Sequence, residues 1–407
     1  MLLLFAVTRA LAERHGGLLE MGLLGGGFML AMALSTFASG LACDRLGRRT
    51  IMVTAAVTGL VAIFACYLAF DTPALLVPSY LLVGGGIASI YPPLMAWLMQ
   101  DGDAAGADRR LMTRRLMGFC ASFNLGILSA HAGGGVLYAF LGHTGPILTA
   151  AALMVVTLAL TLWPITAPAT GGVPLSRAAP AQVPPAAGLT EPIDRTRAAA
   201  LARLCWVANL GGTFAMSIIF NLFPRLAVDV SMTADAQGMI VGMSRAMVLA
   251  VYLAMHISSL WHDRFSAALI VHALAITGLV TIVFANSPSI FLLGLAGVAV
   301  LAGYNYFASM YYSAHGNDDE RKGRAMGMHE ATMAIGLAGG AVAGGIIGGV
   351  LGPRAPYALA AAVITMLAMV QIALYRRYLS GRSRNADDVI QAHDEAEQTL
   401  ELADGEQ

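Results

Sequence analysis

The most chemically significant residue in this sequence is an arginine inside an apolar segment. Arg245 lies about eight residues into the segment 237–259, which places it roughly 12 Å deep at 1.5 Å of rise per residue. A charge at that depth is costly in hydrocarbon, so such a residue usually faces a cavity or a partner. We therefore expect Arg245 to bind a solute, and structural pairing is the alternative.

Polar residues on other apolar segments recur at spacings that put them on one face of a helix. They can bind a solute in a cavity, or they can hold helices together by hydrogen bonds. Both interpretations stay open at this point. The candidates for solute binding besides Arg245 are Asn124, His131, Asn209, Ser217, Tyr304 and Asn305.

The elements that position these residues must be membrane-spanning helices. Of the 407 residues, 57% are hydrophobic and 12% are charged, with a mean hydropathy of +0.70. The apolar blocks are about 20 residues or longer, enough to cross a hydrocarbon core of about 30 Å. The sequence predicts eleven such helices, at 19–42, 50–70, 74–99, 116–140, 145–167, 199–223, 237–259, 266–285, 288–313, 326–351 and 355–376. Residues 1–14 contain Arg9 and predict a partial helix at the position of a first span.

Composition and motifs argue against several other classes of protein. The formal net charge is zero, so nucleic acid is not an expected partner. A membrane enzyme would need clustered catalytic side chains, whereas the nine histidines are scattered. The four cysteines show no metal-ligand spacing. The sequence contains no G-x-x-x-x-G-K-[ST] run, the nucleotide-binding motif that ATP-driven transport would need. We predict no catalytic residue, metal or cofactor.

A Pro-, Gly- and Ala-rich segment divides the chain into similar halves. We predict an N-terminal helical half at 1–167, a linker at 168–198, a C-terminal helical half at 199–377 and a polar tail at 378–407. RLMGFCASFNLG, from Arg115, and RAMGMHEATMAIG, from Arg324, begin corresponding glycine-rich segments in the two halves. Two parallel repeats joined by a long linker are typical of transporters.

The distribution of Lys and Arg predicts the orientation of the chain. Most of the 24 basic residues fall on the side of the linker. The positive-inside rule therefore places the linker and the C-terminus in the cytoplasm. We expect a monomeric, multi-pass protein of the cell (inner) membrane, embedded in the lipid bilayer.

The stretch GLACDRLGRR joins the first full helix to the next. Its pattern, G-x-x-x-D-R-x-G-R-R, resembles the signature loop of the major facilitator superfamily, with a degenerate second copy at WHDRF (261–265). The matching residues are Gly40, Asp44, Arg45, Gly47, Arg48 and Arg49. The resemblance covers nearly the whole chain. It implies twelve helices in two six-helix halves, with a solute site between them and alternating access.

We also expect this loop to act as a gate. Asp44 sits at a helix end and can bond to the start of the eleventh helix, whose amides and nearby Arg324 favour an anion. Glu330 and Asp263 are further candidates for a latch between the halves. The alternative interpretation is an ordinary positive-inside loop.

The sequence as a whole predicts a secondary transporter of a small organic solute, neutral or weakly anionic. The alternative is a protein of the transporter fold that senses or scaffolds without transport.

Overall fold

The computed structural model describes residues 1–94, 109–163, 195–258, 260–315 and 319–380. These residues form helices and no strand, which confirms the predicted all-helical class. The helices in chain order are α1 (Leu2–Glu13), α2 (Leu18–Leu46), α3 (Arg48–Leu68), α4 (Pro73–Ala88), α5 (Arg109–Leu141), α6 (Thr144–Leu162), α7 (Arg195–Asp229), α8 (Ala234–Ile257), α9 (Phe265–Phe284), α10 (Pro288–His315), α11 (Asp319–Leu351) and α12 (Ala355–Tyr375).

Eleven helices of the described chain are long and apolar enough to cross a membrane, as predicted. α1 has 12 residues and is shorter than a span. Many large apolar side chains on the spans point outward, including Phe37, which is 71% exposed, and Phe140, which is 83% exposed. Such a surface suits hydrocarbon rather than water.

Several helices extend beyond the apolar blocks that predict them. α11 begins at Asp319, seven residues before its predicted start, and α2 runs on to Leu46. α5 begins at Arg109, because its first turns are polar yet still helical. α7 begins at Arg195, inside the predicted linker, and continues through Pro224 to Asp229. The remainder of the predicted linker, and the tail after Ser380, lie outside the described residues.

The helices α1–α6 form one half and α7–α12 the other, and the halves meet along α2 and α11 and along α5 and α8. We call the face where α2 ends and α3 begins the basic face, and the other the opposite face. Near the opposite face α2 and α11 approach closely, since a Cβ atom added at Gly22 would lie 2.6 Å from Cα of Gly345. Gly135 of α5 meets Gly238 of α8 in the same way, since a Cβ atom added at Gly135 would lie 3.0 Å from Cα of Gly238. Glycine is required at these contacts because the backbones leave no room for a side chain.

Candidate functional site

The helices α5 and α8 bring two layers of polar residues together between the halves. α5 carries Asn124 and His131, seven residues apart, and α8 carries Arg245 and Tyr252, also seven apart. His131 lies within electrostatic range of Arg245, and Asn124 lies within hydrogen-bonding reach of Tyr252. The spacing of seven keeps each pair on one helix face. The structure thus brings together three residues that the sequence predicted separately.

Phe220 of α7 is the shared neighbour of Arg245 and His131. The Arg245 guanidinium carbon lies 4.4 Å from the centroid of the Phe220 ring. The His131 ring is stacked on Phe220, with 5.2 Å between centroids and 11° between planes. Phe5 of α1 contacts His131 edge-on at 6.2 Å. The site is therefore walled by aromatic rings from both halves.

Polar atoms at this site are left without partners. Arg245 is 8% exposed and His131 is 2% exposed. Among the described residues, the Nε atom of Arg245 and both ring nitrogens of His131 have no hydrogen-bond partner. Unpaired buried polar atoms cost folding free energy unless something else satisfies them. These unpartnered atoms make the layer of Arg245 and His131 the candidate binding site of the described residues.

Asn209 and Ser217 hold α7 against α11. Asn209 donates to the carbonyl of His329 at 3.5 Å, and Ser217 donates to the carbonyl of Leu337. Asn221, one turn beyond Ser217, donates to its carbonyl at 2.9 Å and packs against Gly25 of the other half. The structure therefore gives Asn209 and Ser217 partners within the C-terminal half.

Tyr304 and Asn305 lie on α10, away from the layer of Arg245. Asn305 donates to the carbonyl of Ala208 in α7 at 2.9 Å. Tyr304 is 7% exposed and contacts Trp261 edge-on at 6.4 Å. Both side chains pack α10 within the C-terminal half.

The signature loop is a sharp turn between α2 and α3. Gly47 takes φ +82°, a conformation that favours glycine. Arg49 donates to the carbonyls of Thr161, at 3.2 Å, and Leu162, at 2.7 Å, so it caps the end of α6. Arg45 and Arg48 are exposed at the basic face. The nearest atom to a Cβ added at Gly40 is Cβ of Pro92, at 3.9 Å.

The side chains of Asp44 and Arg324, which the sequence predicted to interact between the halves, lie outside those that the structure describes. Their contact therefore stays a prediction.

The second copy of the loop is anchored within the C-terminal half. Asp263 takes φ +54°, and its amide donates to the Tyr312 hydroxyl at 2.8 Å. Its carboxylate lies 3.7 Å from Nε of Arg197 on α7. These contacts join α7, α10 and the loop before α9. The structure thus places Asp263 within one half, whereas the sequence predicted a latch between the halves.

Glu330 lies on α11, and its carboxylate is 4.0 Å from Nε2 of His329. Tyr91, at the end of the span Pro73–Leu94, lies within electrostatic range of the Glu330 carboxylate. Tyr91 also lies within hydrogen-bonding reach of Tyr306 of α10. Glu330 therefore lies where the two halves approach each other.

A buried arginine that the sequence did not predict as functional bridges the halves. Arg9 of α1 pairs with Glu13 and donates to Gln237 and to the carbonyl of Met232. Tyr138 of α5 donates to the other oxygen of Glu13 at 2.7 Å. The signal in the sequence was Arg9 four residues before Glu13, in an otherwise apolar segment.

A sequence model of the Major Facilitator Superfamily matches residues 1–317 and 205–398, so the chain belongs to that family. This confirms the predicted resemblance. A search of curated proteins found none that matches significantly.

Solved transporter structures share the fold. A bacterial homologue of the human lysosomal transporter Spinster, in an inward-facing and occupied conformation, is 13% identical with a TM-score of 0.68, over 93% of this chain and 95% of that one. A POT family transporter in complex with 5-aminolevulinic acid is 12% identical with a TM-score of 0.67, over 93% and 94%. A variant of the nucleoside transporter NupG is 13% identical with a TM-score of 0.57, over 92% and 97%. At these identities the likeness concerns the fold.

Proposed function

We propose that the protein is a secondary transporter that carries a small organic solute between the two sides of the membrane by alternating access. It works as a monomer in the cell (inner) membrane, with its C-terminus in the cytoplasm. The family and the two six-helix halves support a transporter. The observation that carries the proposal is Arg245, a buried charge between the halves with no ion-pair partner among the described residues.

The chemistry of the site fits a solute better than a packing role. A guanidinium that merely stabilised the fold would pair with a carboxylate or with backbone carbonyls. Arg245 instead contacts the face of Phe220, and His131 offers two further unpaired nitrogens. A solute bound there would satisfy both side chains, and the halves could close around it.

Flux into proteoliposomes tests the proposal. The full-length protein would be reconstituted and supplied with labelled sugars, amino acids, nucleosides and organic acids, including 5-aminolevulinic acid. We expect protein-dependent flux of at least one solute, reduced about tenfold or more by Arg245→Gln, since a charge-assisted contact contributes about 1.5–3 kcal/mol.

The matched control is Arg225→Gln. Arg225 also lies in the C-terminal half, but it pairs with Asp229 at 3.0 Å near the opposite face. This variant should keep the flux of the wild type. A folded wild-type protein that moves no solute of the panel would contradict the proposal and favour a sensing or scaffolding role.

A further inference from the structure

We propose that the solute is a small organic anion with one carboxylate, and that Arg245 is its counter-ion. This inference rests on the proposed transport function, and it assigns the chemical class of the solute. The site holds a fixed positive group, the Arg245 guanidinium, that the described part of the protein does not neutralise.

The nearby acidic residues are engaged elsewhere. Glu13 of α1 pairs with Arg9, and Asp229 of α7 pairs with Arg225. Asp235 lies in the first turn of α8, about three helical turns from Arg245. The face of Phe220 attracts the guanidinium but leaves its net charge in place. A buried cation between the halves therefore requires a negative charge from the ligand.

The remaining groups favour a carboxylate over an inorganic anion or a zwitterion. A guanidinium and a carboxylate match in geometry, with two parallel hydrogen bonds. His131 can donate one N–H to a further oxygen of the solute, and its unprotonated nitrogen can accept a hydrogen bond. The walls are the rings of Phe5 and Phe220, which suit a carbon skeleton. An ammonium group would find no carboxylate in this layer of described residues.

Binding of matched pairs of solutes tests this assignment. The full-length protein in nanodiscs would be titrated with lactate against lactamide, benzoate against benzamide, and levulinate against its methyl ester. We expect at least one carboxylate to bind about tenfold or more tightly than the analogue in which a neutral amide or ester replaces the carboxylate. Arg245→Gln should abolish this preference, and Arg245→Lys should retain part of it, because lysine keeps the charge without the bidentate geometry.

Two controls make the result interpretable. Arg225→Gln removes an arginine that is already paired, and it should keep the preference for the carboxylate. Unfolding temperatures of all variants show whether a loss of binding reflects a loss of folded protein.

Each outcome separates the anion site from transport. Carboxylate binding that needs Arg245 but gives no flux supports the anion site and overturns the transport function. Flux of a neutral solute that Arg245→Gln leaves intact supports transport and overturns the anion site. The anion site is also overturned if no carboxylate binds more tightly than its analogue.

Discussion

Arg9 of α1 donates a hydrogen bond from Nη1 to Oε1 of Gln237 in α8 at 2.8 Å, and this contact joins the two halves. The same guanidinium donates from Nη2 to the carbonyl of Met232 at 3.0 Å. Arg9 is 6% exposed, so water competes little for these bonds. The bridge holds the halves together near the opposite face.

Replacing Arg9 should open the opposite face. Arg9→Gln removes the two hydrogen bonds that Arg9 donates across the halves, in addition to its pairing with Glu13 within α1. Each hydrogen bond from a charged donor contributes about 1.5–3 kcal/mol, and about 1.4 kcal/mol is a tenfold change in population. We expect a longer distance between spin labels at Thr72, in the loop before α4, and Ser289, in the first turn of α10, in a background without native cysteines. The two positions lie in different halves near that face.

The control for Arg9→Gln is Arg14→Gln. Arg14 pairs with Asp71 of the same half at 2.6 Å, so its loss removes an equal charge without touching the contact between halves. Equal distance distributions in Arg9→Gln and the wild type would show that the bridge does not hold the closed arrangement.

The close approach of α2 and α11 should be sensitive to a single methyl group. Gly345→Ala inserts a Cβ against the backbone of Gly22, with 2.7 Å to its Cα. Overpacking of this kind costs about 1–3 kcal/mol. We expect a lower unfolding temperature or a wider separation of the halves at the opposite face.

Gly327→Ala is the matched control on the same helix, because a Cβ added there has no atom within 4 Å. It should be at least as stable as the wild type, because alanine favours a helix more than glycine does. If both alanine variants behave alike, helix propensity rather than the contact with Gly22 governs the result.

His143 should make stability depend on pH. Its ring stacks on Phe70 with 3.8 Å between centroids and 3° between planes. Burial lowers the pKa of His143 below the ordinary value of 6.5, the charge of Arg14 lowers it further, and Asp71 opposes these effects. The unfolded chain therefore takes up this proton at a higher pH than the folded protein does.

Stability from His143 is complete above about pH 6.5, and it declines as the pH falls from there toward the lowered folded pKa. The unfolding temperature should fall between about pH 7.5 and about pH 5. His143→Gln should lose the stacking contact at every pH but show a smaller fall over this interval. Parallel curves for the two proteins would exclude His143 as the titrating group.

Asn305 should affect stability more than solute binding. Asn305→Ala leaves the carbonyl of Ala208 without its 2.9 Å hydrogen bond in a buried position. The expected cost is about 1–3 kcal/mol of unfolding free energy. Denaturation and solute titration of the same sample would distinguish the roles. A weaker solute affinity at unchanged stability would instead show that Asn305 takes part in solute binding.

The helices were predictable because hydrocarbon imposes a strong and local constraint. Each span must be apolar over about 20 residues and must satisfy its own backbone. The ends were less predictable. The polar turns that begin α5 at Arg109 carry no apolar signal, and Pro224 in α7 does not end the helix as proline often does.

The candidate site was only partly predictable, because its residues come together through helix packing. Arg245 and His131 stood out as polar residues in apolar segments. Phe220, their shared neighbour, carries no such signal in a segment of similar residues. The bridge from Arg9 to Gln237 joins residues 228 positions apart, and sequence periodicity reports only on neighbours within a helix.

The unpaired charge of Arg245 has an electrical consequence. If the protein carries a monoanion as proposed, the empty carrier holds a net positive charge between its halves, whereas the loaded carrier is neutral there. The membrane potential acts on a charge with about 2.3 kcal/mol per 100 mV across the full field. It therefore biases which side the empty protein opens to and leaves the loaded step nearly unaffected. Voltage then governs the return of the empty carrier, and exchange of one anion for another avoids that voltage-dependent step.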